Sequence, residues 1–266
     1  MKKYLLVLVV ALFVIVMSSC GNKTTNDTTN NINETNVFDE TVKENTDNSK
    51  LQSTPDEFIG MDTEEGYFID EYTGSAKIII VPDELDGKPV VGFDVDAFHN
   101  VDFEEMVLPK GMKKIEKSTF ANRVNLKKVT LNEGLEEIGN KTFINCTNIE
   151  EITIPSSVTK IGDAAFCGCT SLKSVILNEG LQYIGSTCFS VCAIESIIIP
   201  ESIVSIDDKA ISICDKLKEI RFLNSSTDIH YYAIDDCPNA TIYGYTGSTA
   251  EDIATQKNIP FIAIDG

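Results

Sequence analysis

From residue 98 onward, apolar positions recur with a long and steady period. Phe98, Phe120, Phe143, Phe166 and Phe189 stand 22 or 23 residues apart, and Ile211 and Ile234 continue the series. A small residue precedes each one: Ala97, Thr119, Thr142, Ala165, Cys188, Ala210 and Ala233. Five residues before most of them lies an aliphatic, at Ile115, Ile138, Ile161, Ile184 and Ile206. Further upstream an L-x-x-L-x-L triplet repeats, as in Leu126, Val129, Leu131 and in Ile149, Ile152, Ile154. Pro109, Pro155 and Pro200 close three of these triplets, where a missing N–H does least harm.

One such unit cannot bury its apolar side alone. Stacked units bury a continuous core, each contacting only its neighbours. The alternating part of the triplet suits a short parallel strand, repeated at about 4.8 Å per rung. The five phenylalanines then fill one core slot in successive turns as a structural ladder.

The same pattern predicts ends. Phe58 to Ile69, a Thr73-Gly74 turn and Lys77 to Val81 read as an N-terminal hairpin. Ser248-x-x-Glu251 is a capping box, opening a short helix with Ala250, Ile253 and Ala254 on one face. Ile259 to Ile264 reads as a final strand. Both ends would cover core and edge backbone left open by the stack.

Before residue 56 the pattern changes twice. Lys2 and Lys3 precede an uninterrupted apolar run of thirteen residues, Leu5 to Met17. That run is short for a bilayer span and suits the apolar stretch of a signal peptide. Gly21 to Pro55 is dominated by Thr, Asn, Asp and Glu, with apolar residues scattered singly. Such a segment buries too little surface to offset its ordering entropy and reads as a flexible tether. The resulting organisation is a leader over 1–19, a tether over 20–55, an N-terminal cap and first turn over 56–97, repeats over 98–239 and a C-terminal cap over 240–266.

Two resemblances follow. Met17-Ser18-Ser19-Cys20-Gly21 resembles a bacterial lipoprotein signal, with Met17 where that family usually has Leu. The resemblance implies cleavage before Cys20 and lipidation of its sulfur; an ordinary secretory signal is the alternative. Each buried lipid CH₂ contributes about 0.8 kcal/mol, so two or three acyl chains hold firmly. The repeat, clearest in IEEITIPSSVTKIGDAAFCGC from Ile149 to Cys169, resembles the BspA-like leucine-rich repeats of bacterial surface proteins, from about Ile78 to the C-terminus. That resemblance implies a β-rich repeat solenoid, a right-handed leucine-rich-repeat superhelix with short parallel strands and short helical turns, capped at both ends. It also implies an extracellular site and a binding or adhesion role. Ile211 and Ile234 in place of Phe, and the missing Pro-x-x-L element in Asn224 to Tyr232, are departures.

Charge narrows the partners. The chain carries 22 basic and 41 acidic residues, a net charge of -19. Phosphate backbones and anionic headgroups are repelled, so nucleic acid is a poor partner and membrane contact falls to the lipid on Cys20. Cys146, Cys169, Cys192, Cys214 and Cys237 each follow the repeat's Phe or Ile by three residues. Their periodicity favours a reduced, buried column, with inter-rung disulfides as the alternative. Cys167-Gly168-Cys169 is too tight and isolated for a zinc site, so no metal or cofactor is expected. The only two histidines, His99 and His230, lie too far apart to share a catalytic triad.

The outward strand positions are more informative. Glu104, Lys127, Glu150, Lys173, Glu195 and Lys218 alternate in sign, which fixes register. The position between the last two apolar residues runs Val107, Thr130, Thr153, Ile176, Ile198, Arg221. Ile176 and Ile198, with Ser174, Ser196, Thr153 and Tyr183, form the candidate ligand-contact patch. The expected function is a lipid-anchored binding or adhesion module on the extracellular face of the envelope, engaging a protein or glycan without catalysis. The alternatives are a structural envelope lipoprotein acting by self-association and a carbohydrate-active enzyme using two carboxylates.

Overall fold

The computed structural model describes residues 52–265. The leader, Cys20 and the tether up to residue 51 lie outside the described residues. The last tether residues are described. Gln52 bridges Ile78, and the Ser53 backbone N–H donates to the Ile78 carbonyl.

The chain enters through a mixed four-stranded sheet. β1 (Phe58–Asp62) pairs antiparallel with β2 (Tyr67–Tyr72). β3 (Ile78–Ile80) leaves to join the solenoid. β4 (Glu84–Leu85) and β5 (Lys88–Phe93) form a hairpin, and β5 lies parallel to β2. Asp86 and Gly87, at φ 52° and 75°, make that hairpin's two-residue turn, the conformation Asp-Gly adopts most readily.

The β1–β2 turn falls at Thr63–Gly66, not at Thr73-Gly74 as the sequence suggested. The Thr63 hydroxyl closes it, donating to the Gly66 carbonyl at 2.8 Å and accepting from the Gly66 N–H at 3.2 Å. Gly74 has another purpose: a Cβ there would sit 2.3 Å from the Tyr72 hydroxyl.

The solenoid has three rows of rungs. On the first, β3, β6 (Glu105–Val107) and β8 (Lys128–Thr130) form one parallel sheet. Beside it β10 (Glu151–Ile154), β12 (Ser174–Leu177), β14 (Ser196–Ile199), β17 (Glu219–Phe222), β20 (Thr241–Gly244) and β21 (Phe261–Ala263) form another. The second row stacks the two-residue strands β7 (Lys114–Ile115), β9 (Glu137–Ile138), β11 (Lys160–Ile161), β13 (Tyr183–Ile184), β15 (Ser205–Ile206) and β18 (Asp228–Ile229). The third row carries the core aromatics on arcs, where β16 (Ile211–Ser212) pairs with β19 (Ile234–Asp235).

These arcs are not the short helical turns the family resemblance implied. Among the described residues, helix occurs only as a 3-10 turn at Pro55–Glu57 and as α1 (Thr249–Lys257). The reason is where the N–H groups go. Phe120, Phe143, Phe166 and Phe189 donate to the carbonyls of Thr142, Ala165, Cys188 and Ala210, one rung on. Alternate N–H groups of each arc thus leave it, and those between, such as Ala121 and Cys146, reach only three residues back, to Ser118 and Phe143, so no run of four-back helical bonds forms. From Phe120 to Ile211 each arc bends through two left-handed residues, two before and two after the core side chain. Examples are Lys141 and Asn145 (φ 58° and 58°) and Ala164 and Gly168 (φ 54° and 75°).

The core is continuous. The five phenylalanines are fully buried, and Phe120, Phe143, Phe166 and Phe189 stack with centroids 5.2–5.5 Å apart and planes within 16°. Phe98 begins the column in a tilted contact with Phe120 at 6.1 Å. At the far end Ser248 caps α1, accepting from the Glu251 N–H at 3.3 Å. Glu251 answers at Gly247 rather than at Ser248, accepting its N–H at 2.6 Å. Ala250, Ile253 and Ala254 bury the helix face, and β21 closes the first row parallel to β20.

Candidate functional site

The repeat decides which side chains face out. In β10, β12 and β14 burial alternates strictly, so Ile152, Val175 and Ile197 point inward. Thr153, Ile176 and Ile198 therefore point outward, and Ser174 and Ser196 stand outward two residues earlier. Ile176 and Ile198 are 52% and 51% exposed. Ser174 pairs with Ser196, and Thr153 with Ile176, in register.

The structure carries this column further than the triplet pattern reached. Ile198 pairs with Arg221, Arg221 with Tyr243 and Tyr243 with Ile262. The Arg221 guanidinium lies 4.8 Å from the centre of the Tyr243 ring and bonds Glu219 at 2.8 and 2.9 Å. The outward face thus has an uncharged window of Ser174, Ile176, Ser196 and Ile198, bordered by Glu151 and by a fixed Arg–Tyr pair. Tyr243 and Ile262 lie in terminal strands that lack the full triplet, which is why sequence spacing did not find them.

Tyr183 does not join that window. It sits in β13 of the second row, between Lys160 and Ser205, and is 44% exposed. There it lines a separate groove with Lys160, Asp163 and Asp207.

Charge on the first row is organised as paired rungs. Lys127 meets Glu104 at 2.6 Å, Lys173 meets Glu150 at 3.2 Å and Lys218 meets Glu195 at 3.4 Å. Exposed pairs of this kind contribute little each, but like charges would oppose the stacking.

The cysteine column has a structural role. Cys146, Cys169, Cys192 and Cys214 donate their S–H to the carbonyls of Phe120, Phe143, Phe166 and Phe189, one rung back, at 3.0–3.3 Å. Cys237 reaches the Ile211 carbonyl at 3.7 Å. All seven described cysteines are free thiols. Burial pushes Cys146 up to about 12 and holds Cys169, Cys188 and Cys192 well above the ordinary thiol range. Such thiols are poor nucleophiles and poor metal ligands. Among the described residues, no group of three or more His, Cys, Asp or Glu is placed to hold a metal ion. His99 lies 3.9 Å from Asp96 at the start of the stack, and His230 lies 3.4 Å from Asp208 near its end. No described helix is long and apolar enough to cross a membrane.

One cluster was missed by the sequence reading. Lys257, near the end of α1, lies 4.8 Å from the ring centre of Tyr231 and 4.7 Å from that of Tyr232, and bonds Asp235 at 2.8 Å. The hydrogen bond that Lys257 donates to the Asp235 carboxylate raises its pKa above the ordinary lysine value. The two tyrosines meet edge to face, 4.8 Å apart at 83°. A cleft of about 660 Å³ opens beside Tyr231, lined also by Asp236, Gln256 and Asn258. Its sequence signal was two adjacent tyrosines at positions that are never aromatic in the preceding rungs.

Comparison with known proteins agrees with this geometry. No curated protein matches the chain. A leucine-rich repeat protein of T. pallidum has a similar structure, with a TM-score of 0.61 and 26% identity, over 71% of this chain and 86% of that one. A leucine rich cell surface protein of Faecalibacterium prausnitzii shares the fold at a TM-score of 0.50 and 22% identity, over 65% of this chain and about half, 54%, of that one. The family description BspA type leucine rich repeat region matches six copies, over residues 93–210 and 136–253. Those segments together span more than half of the chain, and the protein belongs to the BspA type leucine-rich repeat family.

Proposed function

We propose that the protein is a cell-surface binding or adhesion module, and that the uncharged window on its first row contacts a protein or glycan ligand. Membership of this repeat family supports a binding role. The observation that carries the site is the window itself. On a chain of net charge -19, Ser174, Ile176, Ser196 and Ile198 form adjacent outward positions without charge, held rigid by in-register strands. Desolvating them costs little, and a flat rigid face loses little entropy on binding. Display on a lipid at Cys20 accounts for the leader and the long polar stretch before residue 52.

The test offers purified extracellular matrix proteins and a glycan panel to the immobilised full chain and to an Ile176→Lys, Ile198→Lys variant. A ligand held by the wild type and lost by the variant, with both melting alike, is the expected result. A ligand held equally by both removes the window from the reading. Labelled palmitate incorporated by cells, and abolished by Cys20→Ala, is the expected result for the anchor.

A second reading, self-association in the envelope, is favoured by β21. Among the described residues, this three-residue strand pairs on one side only, with β20, and bears the exposed Ile262. Sedimentation of the full chain across a concentration series separates the two readings.

A further inference from the structure

The rung that ends in β19 breaks the pattern of the rungs before it. Between the inward isoleucine of the second row and the small residue of the arc, earlier rungs place Asn140-Lys141, Asp163-Ala164, Ser186-Thr187 and Asp208-Lys209. The last one places Tyr231-Tyr232. These rings are 44% and 48% exposed, although the repeat needs nothing aromatic there. We propose that the Tyr231–Tyr232 corner is a second binding site, one that takes a neutral pyranose unit of an oligosaccharide.

Two observations carry this. The corner is preorganised: the rings stand at 83°, and Lys257 holds both, itself tied to Asp235 at 2.8 Å. Rings already fixed lose little side-chain entropy on binding, which makes exposed tyrosines efficient contact residues. The surroundings are polar on the cleft side, where Asp235, Asp236, Gln256 and Asn258 offer acceptors and amide donors. A pyranose has an apolar C–H face with hydroxyls around its rim, and so matches an aromatic corner with a polar border.

The alternatives fit less well. An anionic sugar would meet a chain of net charge -19. A basic peptide would have to displace the ammonium of Lys257 from the Asp235 carboxylate, 2.8 Å away. This site lies apart from the window on the first row, so each can fail without the other.

The chain has eight tyrosines and no tryptophan, so no indole masks the tyrosine emission, and the corner supplies two of the eight emitters. The full chain is titrated with cellohexaose, maltohexaose and N-acetylated chitohexaose, followed by calorimetry and tyrosine fluorescence. At least one is expected to bind and to change the emission. A Tyr231→Ala, Tyr232→Ala variant loses about tenfold or more in affinity, as removal of a central aromatic contact does. Tyr232→Leu keeps the bulk without the flat ring and also weakens binding, which covers the case in which the double variant melts early. Tyr231→Phe, Tyr232→Phe binds within about threefold of wild type because the faces remain. Val124→Lys, exposed on an earlier rung and outside either site, leaves the saccharide affinity unchanged. The proposal is overturned if none of the three binds at ~10 mM, beyond the millimolar end of specific affinity. It is equally overturned if the leucine variant binds as wild type does, or if a lysine oligomer binds the corner and the sugars do not.

Discussion

The middle of the solenoid and its C-terminal end use the same backbone path for different purposes. From Phe143 to Phe189 each rung repeats one solution. Rings stack at 5.2–5.5 Å, a thiol bonds the carbonyl one rung back, and small residues line the arc. From Ile211 onward the aromatic stack stops, arc strands pair as β16 and β19, and a lysine from a helix reaches back over two tyrosines. In the middle, residue choice is dictated by the neighbouring rung. At the end that dictation lapses, and side chains are free to acquire individual roles.

The largest effect expected from this contrast is in the middle. Phe143→Ala removes a fully buried ring stacked on both sides. It should cost about 3–5 kcal/mol, read by urea denaturation. Because each rung contacts only its neighbours, the loss should break the molecule's cooperativity as well, giving a lower m-value or a second transition. A single cooperative transition with less than about 1 kcal/mol lost would contradict the account of the stack.

Lys257→Met should act only at the end. It removes two ring contacts and one carboxylate bond, a loss of about 1–2 kcal/mol to the cap. Hydrogen exchange should quicken in α1 and β21 while the strands from β8 to β14 keep their protection. The pH dependence has a definite sign. The Lys257 pKa is raised in the folded state by Asp235. Its contribution is therefore complete below the unfolded lysine value and is lost as pH rises through the folded one. Protection of α1, measured against the base-catalysed intrinsic rate, should fall on that alkaline side in wild type and not in the variant.

The smallest effect is a gain. Two residues after the core side chain the chain needs a left-handed conformation, supplied by Asn122, Asn145 and Gly168 and then by Val191 and Ile213, at φ 60° and 53°. Both are exposed and β-branched, the side chains least suited to it. Val191→Asn and Ile213→Asn should each stabilise by about 0.5–1 kcal/mol, read as a rise in melting temperature. No gain at either site would mean that packing of the branched side chain outweighs its backbone cost.

These residues also mark how far the sequence could be read. The phenylalanine and cysteine columns were legible because a buried slot admits few residue types and recurs at a fixed spacing. What the thiols bond to was not legible, since their acceptors are carbonyls 25 or 26 positions earlier that only stacking brings near. Helical arcs were expected from resemblance, and their absence follows from hydrogen bonds that pass between rungs. The hairpin turn was misplaced because Gly74, a clearance residue beside Tyr72, looks like a turn glycine, while Thr63 closes the true turn with its hydroxyl. Ile176 and Ile198 face outward as alternation requires. Tyr183 sits apart because seven positions along the chain carry it around to the second row. The Lys257 contacts join residues from two elements, which no periodicity could pair.

The inter-rung hydrogen bonds all run along the axis of the stack, and this sets how the molecule bears load. Pulled at its two ends, the solenoid carries tension through its rungs in series. Each junction feels the whole force, so the weakest one yields first and the rest peel after it at modest force. A pull across the axis instead shears many rows at once and meets their summed resistance.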